Sequence, residues 1–182
     1  MSTAHWRRRG TAVIADFPPE RRRHLYWHVE RFRMMLADAE TWQRARHTGC
    51  GDLFQERRAA QAHERAVAIV ARRGRACSAG FGAVPVERDV LREMVDAADR
   101  LLASLRHHTG TVVLTGPEQF SAWIWTLYEC AMDTALHNGI PWCGDVAGDR
   151  PERSWETQPE HQLVDWLLEL VDGLIGVVGF PM

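Results

Sequence analysis

Apolar residues recur at steps of three and four along most of this chain, with polar and arginine-rich positions between them. That is the period of helices that bury one stripe. Over residues 19–46 the stripe is Leu25, Val29, Phe32, Met35, Leu36, Ala39 and Trp42. Pro19 suits the first turn, where its missing N–H removes no helical hydrogen bond. Residues 52–73 are predicted as a second helix, capped by Asp52, with Leu53, Phe54, Ala60, Val67 and Val70 facing inward. Between residues 74 and 85, Gly74, Gly80, Gly82 and Pro85 break the pattern, and the stretch reads as a loop.

Residues 86–108 are the cleanest amphipathic segment. Leu91, Met94, Val95, Ala98, Leu101, Leu102 and Leu105 form the stripe, and Glu87, Asp89 and Glu93 lie near the start, where the helix dipole favours acids. TVVL at 111–114 predicts a short strand or an extended connector. Pro117 then opens a helix to about Asn138 with Phe120, Trp123, Ile124, Leu127, Tyr128, Ala131, Met132 and Ala135 on one face, and Gly139 stops it. Residues 139–158 are loop-like. Pro159 begins a last helix, which buries Leu163, Trp166, Leu167, Leu170, Val171 and Leu174. The prediction is an all-α chain, a single helical domain over residues 1–182. It is a bundle of about five helices with short irregular connections, and residues 1–17 form an N-terminal arm or extension.

Three of the eight tryptophans fall within residues 112–142. Trp123 lies on the apolar stripe, so its place is the core. Trp125, two positions on, points to a different side of the helix, where it can seat a neighbouring element or serve as an interface residue. Trp6, Trp142 and Trp155 are further candidates for interface anchors.

Composition narrows the class. At 46% hydrophobic and 25% charged residues, the 182-residue chain is of the globular kind, and its length suits one domain with a real core. The apolar stretch behind the N-terminal arginines is too short for a signal peptide, and no window supplies a membrane span. The expectation is an intracellular, cytoplasmic protein without a membrane partner. Cys50, Cys77, Cys130 and Cys143 include no C-x-x-C pair, which argues for reduced thiols rather than a zinc ribbon, redox site or disulfide framework.

The net charge of −2 hides an asymmetry. Residues 1–75 carry 16 arginines against 8 aspartates and glutamates, while residues 76–182 carry 6 against 16. The chain therefore has a cationic first half and an anionic second half. All 22 basic residues are arginine, whose guanidinium fork grips phosphate or carboxylate with two hydrogen bonds and stacks on bases. They cluster as Arg7, Arg8 and Arg9 beside Trp6; Arg21, Arg22 and Arg23 beside Tyr26 and Trp27; and Arg72, Arg73 and Arg75. Arginines interleaved with aromatics fit RNA or single-stranded nucleic acid, with phosphates on guanidinium and bases on rings. Two other readings use the same residues: a solvated helix face, or pairing with the acidic half within or between subunits. Pairing between subunits would run head-to-tail and build a homo-oligomer.

LTGPEQFSAW resembles the opening of the capsid region in Gag polyproteins of copia-type retrotransposons, where the pattern runs L-x-G-x-x-[NQ]-[YF]-x-x-W. Over residues 112–148 the matching positions are Leu114, Gly116, Phe120 and Trp123, followed by Trp142 and the start of the segment GDVAGDRP, which runs on to Pro151. The chain departs from the family in the long interval between Trp123 and Trp142 and in having no C-x-x-C-x-x-x-x-H zinc knuckle. The resemblance implies a helical, capsid-like protein that self-associates and packages RNA.

Enzymatic signatures are sparse. No dinucleotide-binding glycine fingerprint, phosphate loop or serine elbow is present, and no residue is assigned as catalytic. His24 and His28 are the exception worth weighing. Four apart on the first helix, they can share a face and hold zinc or iron with help from elsewhere, although HLYWH lacks the glutamate of H-E-x-x-H. The expectation is a non-enzymatic assembly or interaction protein with nucleic acid on its arginine-rich N-terminal half. The alternative is a small helical metalloprotein or metalloenzyme built on His24 and His28.

Overall fold

A computed structural model describes residues 5–48, 53–77, 88–106, 110–140 and 158–179. It is an all-α helical bundle with a small antiparallel sheet at one side. In chain order the elements are β1 (Arg7–Arg9), β2 (Ala12–Asp16), α1 (Pro19–Thr48), α2 (Leu53–Cys77), α3 (Arg88–Leu105), β3 (Thr111–Leu114), α4 (Pro117–His137) and α5 (Pro159–Val178). Helix α1 packs against α2 and α3, α4 lies between α3 and α5, and the sheet sits beside α3 and α5. No helix among the described residues is long and apolar enough to cross a membrane.

Helices α1, α3 and α5 bury the stripes their sequences predict: Leu25, Val29, Phe32, Leu36 and Ala39 on α1; Leu91, Met94, Ala98, Leu101 and Leu102 on α3; Leu163, Leu167, Leu170 and Leu174 on α5. Helix α2 differs. Its buried positions are Ala62, Ala66, Ile69 and Val70, whereas Val67 faces solvent and Ala60 is half-buried. Because alanines and valines occur on every side of this helix, its sequence defines the inward face poorly. It also continues through Gly74 to Cys77, past the expected end at Arg73. The side chains of Leu53 and Phe54 lie outside those described, as does Asp52.

Helix α4 is buried on nearly all sides rather than on one. Ala122, Thr126, Glu129, Cys130 and Asp133 join the predicted apolar set in the interior. Asp133 is 7% exposed and receives a fork from Arg65 of α2, at 3.0 Å from Nε and 2.5 Å from Nη2. Removing Arg65 would strand the buried Asp133 carboxylate at a cost of about 1–3 kcal/mol.

Residues 5–17 are not an arm. Strands β1 and β2 form a hairpin around Gly10 and Thr11, with Arg9 opposite Ala12 and Gly10 at φ +63. A glycine with positive φ at the first loop position matches the twist that a two-residue hairpin requires. Strand β2 pairs with β3 in antiparallel register, Ala15 opposite Val112, so TVVL is a strand. Val13, Ala15, Val112 and Leu114 point inward. Beneath them Trp6, Phe17 and Trp123 interlock: Trp6 and Trp123 meet edge-on at 5.3 Å and 87°, and Phe17 stands 6.0 Å from Trp123. Both buried indoles keep a hydrogen-bond acceptor. Trp6 Nε1 donates to the Leu170 carbonyl at 2.9 Å, and Trp123 Nε1 to Ser104 Oγ at 2.9 Å.

Candidate ligand-binding face on helix α1

The inward stripe of α1 fixes what its other side must present. Arg23, His24, Trp27, Arg31 and Met34 recur at three- and four-residue steps and are all exposed. Trp27 is 53% exposed and Met34 46%.

Cationic groups flank these rings. The Arg31 guanidinium lies 5.5 Å from the Trp27 ring centre, and Arg21 lies 5.2 Å from that of Trp166, on α5. His24 stacks on Trp166 at 6.1 Å and 14°. His28 stands edge-on to Trp27 at 4.7 Å. The two histidines meet through their Nε2 atoms at 3.0 Å. Burial lowers the His28 pKa to about 4, helped by the charges of His24 and Arg31, so its imidazole is neutral at neutral pH. Behind it, the Cys130 thiol points at the His28 carbonyl at 3.9 Å. Burial, with the nearby Asp133 charge, pushes that thiol far above its ordinary range, leaving Cys130 an inert core thiol rather than a soft ligand or nucleophile.

The arginine clusters divide. Arg7 is tied to Asp16 at 2.6 Å, and the Asp16 carboxyl, which also accepts from Thr111 Oγ1 at 2.7 Å, is held below its ordinary pKa by those two bonds, the one from Thr111 first. Arg8 and Arg9 stay exposed on β1, and Arg23 is exposed on α1. Among the described residues Arg8, Arg9, Arg21, Arg23 and Arg31 form no ion pair with a carboxylate. Arg22 and Arg72 are half-buried and engaged. The side chains of Arg73 and Arg75 lie outside those described.

Other bridges join the two oppositely charged halves of the chain within one molecule. Arg33 of α1 reaches Asp99 of α3 at 2.8 Å, and Arg65 reaches Asp133. Arg58 instead pairs with Asp38 inside the cationic half, at 2.8 Å. Arg8, Arg9, Arg23 and Arg31 stay exposed on β1 and α1, with Glu20 exposed among them, whereas α5 exposes Asp165, Glu169 and Asp172 and has no arginine.

The interface candidates fare unequally. Trp6, expected as an exposed anchor, is 8% exposed and belongs to the core, because the hairpin folds it onto α5. Trp125 is partly exposed on α4, edge-on to Tyr128 at 6.5 Å. Trp142 and Trp155 lie outside the described residues. Of the stretch resembling the Gag capsid region, Leu114 ends β3, Gly116 precedes α4 and Trp123 is buried on it, while Trp142 and residues 144–151 also lie outside the described residues. Among the described residues no three or more His, Cys, Asp or Glu side chains converge as a metal cage. His161 pairs with Asp165 at 3.1 Å, and His63 stacks on Trp42 at 4.3 Å.

Arg31 was not among the residues singled out in the sequence, though its place four after Trp27 is the signal that pairs them across one helical turn. Trp166 carried no surface signal, since its stripe marks it as core. No family model, curated protein or solved structure matches this chain.

Proposed function

We propose that this protein is a non-enzymatic interaction protein whose outer α1 face binds single-stranded nucleic acid. The observation that carries the reading is Trp27, more than half exposed, with Arg31 against its ring and Arg23 one turn away on the same stripe. The solvent-exposed part of the Trp27 indole offers a base a stacking platform beside Arg31, and guanidinium groups without carboxylate partners are available to phosphate. Arg8 and Arg9 on β1 extend the cationic surface. Single strands are favoured over duplex because stacking on Trp27 needs an unpaired base face.

Self-association, as in a capsid-like assembly, belongs to the same reading with a changed driving force. Arg33–Asp99 and Arg65–Asp133 already engage cationic-half arginines with anionic-half carboxylates inside one chain. Copies would therefore meet through apolar contacts, with Met34 and Trp125 as exposed candidates.

The test is fluorescence anisotropy of a labelled oligouridine, with wild type and Trp27→Ala compared at low salt. Loss of one stacked base weakens binding by about 1–3 kcal/mol, roughly fivefold to 150-fold, and a duplex of equal length binds less tightly than the single strand. Equal affinity of wild type and Trp27→Ala, or equal affinity for single strand and duplex, overturns the proposal.

A further inference from the structure

We propose that His24 and His28 form a two-nitrogen chelate for a divalent transition-metal ion on the outer face of α1. The two imidazoles occupy positions i and i+4, which puts them one above the other on the same side of the helix. Their Nε2 atoms are hydrogen-bonded to each other at 3.0 Å, one donating and one accepting, and a metal ion would take the place of the shared proton. Two nitrogens each about 2.05 Å from one ion and that far apart subtend about 95° at the metal, the angle between neighbouring ligands in tetragonal or octahedral coordination. A tetrahedral zinc ion needs the nitrogens about 3.3 Å apart, a few tenths of an ångström more, which the exposed His24 side chain can supply by a small torsional change.

Both rings are already oriented by their neighbours. His24 lies flat on Trp166, which Arg21 also contacts, and His28 stands against Trp27 with its own backbone tied to α4 through the Cys130 thiol. Pre-orientation of this kind lowers the entropy lost when a metal is captured.

The surroundings also select the ion. Mg²⁺ and Ca²⁺ require oxygen ligands, and no carboxylate among the described residues joins the pair. Arg31 opposes any cation electrostatically, so binding depends on nitrogen coordination strong enough to exceed that repulsion. Late first-row ions meet this requirement, in the order Ni²⁺ below Cu²⁺ and Cu²⁺ above Zn²⁺. With two protein ligands, the remaining coordination positions are open to water or to an anionic co-ligand.

The experiment is calorimetric titration of the full chain with Ni²⁺ and with Zn²⁺, in the absence of nucleic acid, for wild type, His24→Ala and His28→Gln. His24 is exposed, so its replacement leaves the fold intact, and circular dichroism of each variant verifies this. Expected is one saturable site per chain, weakened about tenfold or more by either substitution, and for Ni²⁺ a ligand-field absorption band that both variants lose. The same affinity in His24→Ala as in wild type, or no saturable site in the wild type, overturns the chelate. Because no oligonucleotide is present, this result stands apart from the outcome of the Trp27 test.

Discussion

His28 holds its proton far less readily in the folded chain than in the unfolded one. Its pKa falls from the ordinary 6.5 to about 4, first through burial and then through the charges of His24 and Arg31. From pH 6.5 down to about 4 the unfolded chain therefore takes up a proton that the folded chain refuses. Stability is lost as pH falls through that window, and above it this group contributes no pH dependence. Around the ring stand His24 and Arg31 on α1, with Cys130 behind it on α4. Because His28 is only half-buried, solvent screening leaves an effect of about 1 kcal/mol. Urea denaturation of wild type and His28→Gln at a series of pH values reads it: the variant loses less stability between pH 6.5 and 4. Parallel profiles for the two proteins would contradict the assignment.

At the level of elements, the sheet is held to the bundle by Trp6, whose indole lies against the one glycine of α5 that a larger residue could not replace freely. A Cβ on Gly173 would come within 2.9 Å of Trp6 Cδ1, and that ring is fixed by Phe17, Trp123 and the Leu170 carbonyl. Gly173→Ala therefore destabilises by about 1–3 kcal/mol through overpacking, although alanine is the better helix former. Gly176→Ala, whose Cβ meets nothing within 4 Å, is neutral or stabilising. Thermal unfolding of the two variants separates the effects, and equal melting temperatures would mean that Trp6 does not set the packing of α5.

These contacts also explain which elements could be read in advance. Helices α1, α3 and α5 each carry a continuous apolar stripe, so period alone identifies their buried faces, although Trp27 and Met34 of α1 stand outside that stripe. Helix α4 shows its apolar face in the sequence, but Glu129 and Asp133 look solvent-facing there and are interior in the fold, where Arg65 of α2 meets Asp133. The hairpin is hidden in the sequence because β1 consists of three arginines and because TVVL, the other partner of β2, lies about a hundred residues away. Trp6 belongs to the same case: beside an arginine run it resembles a surface anchor, and only the hairpin turns it inward. Of the candidate site, Arg21, Arg23 and the histidine pair were legible, whereas the contribution of Trp166 depends on where α5 packs.

For the whole molecule, the charge asymmetry of the sequence is partly spent within the fold, through Arg33–Asp99 and Arg65–Asp133. Arginines without carboxylate partners among the described residues remain on β1 and the first turns of α1, while the exposed side of α5 is acidic. The central claim is that this residual cationic surface, with Trp27 in it, grips phosphates. Its most direct test is the salt dependence of oligouridine binding. With about four phosphate contacts, the logarithm of the binding constant falls against the logarithm of salt concentration with a slope of about −3, and the double variant Arg23→Ser/Arg31→Ser flattens that slope by about 1.4. A slope near zero, or one that the double variant leaves unchanged, would contradict the account.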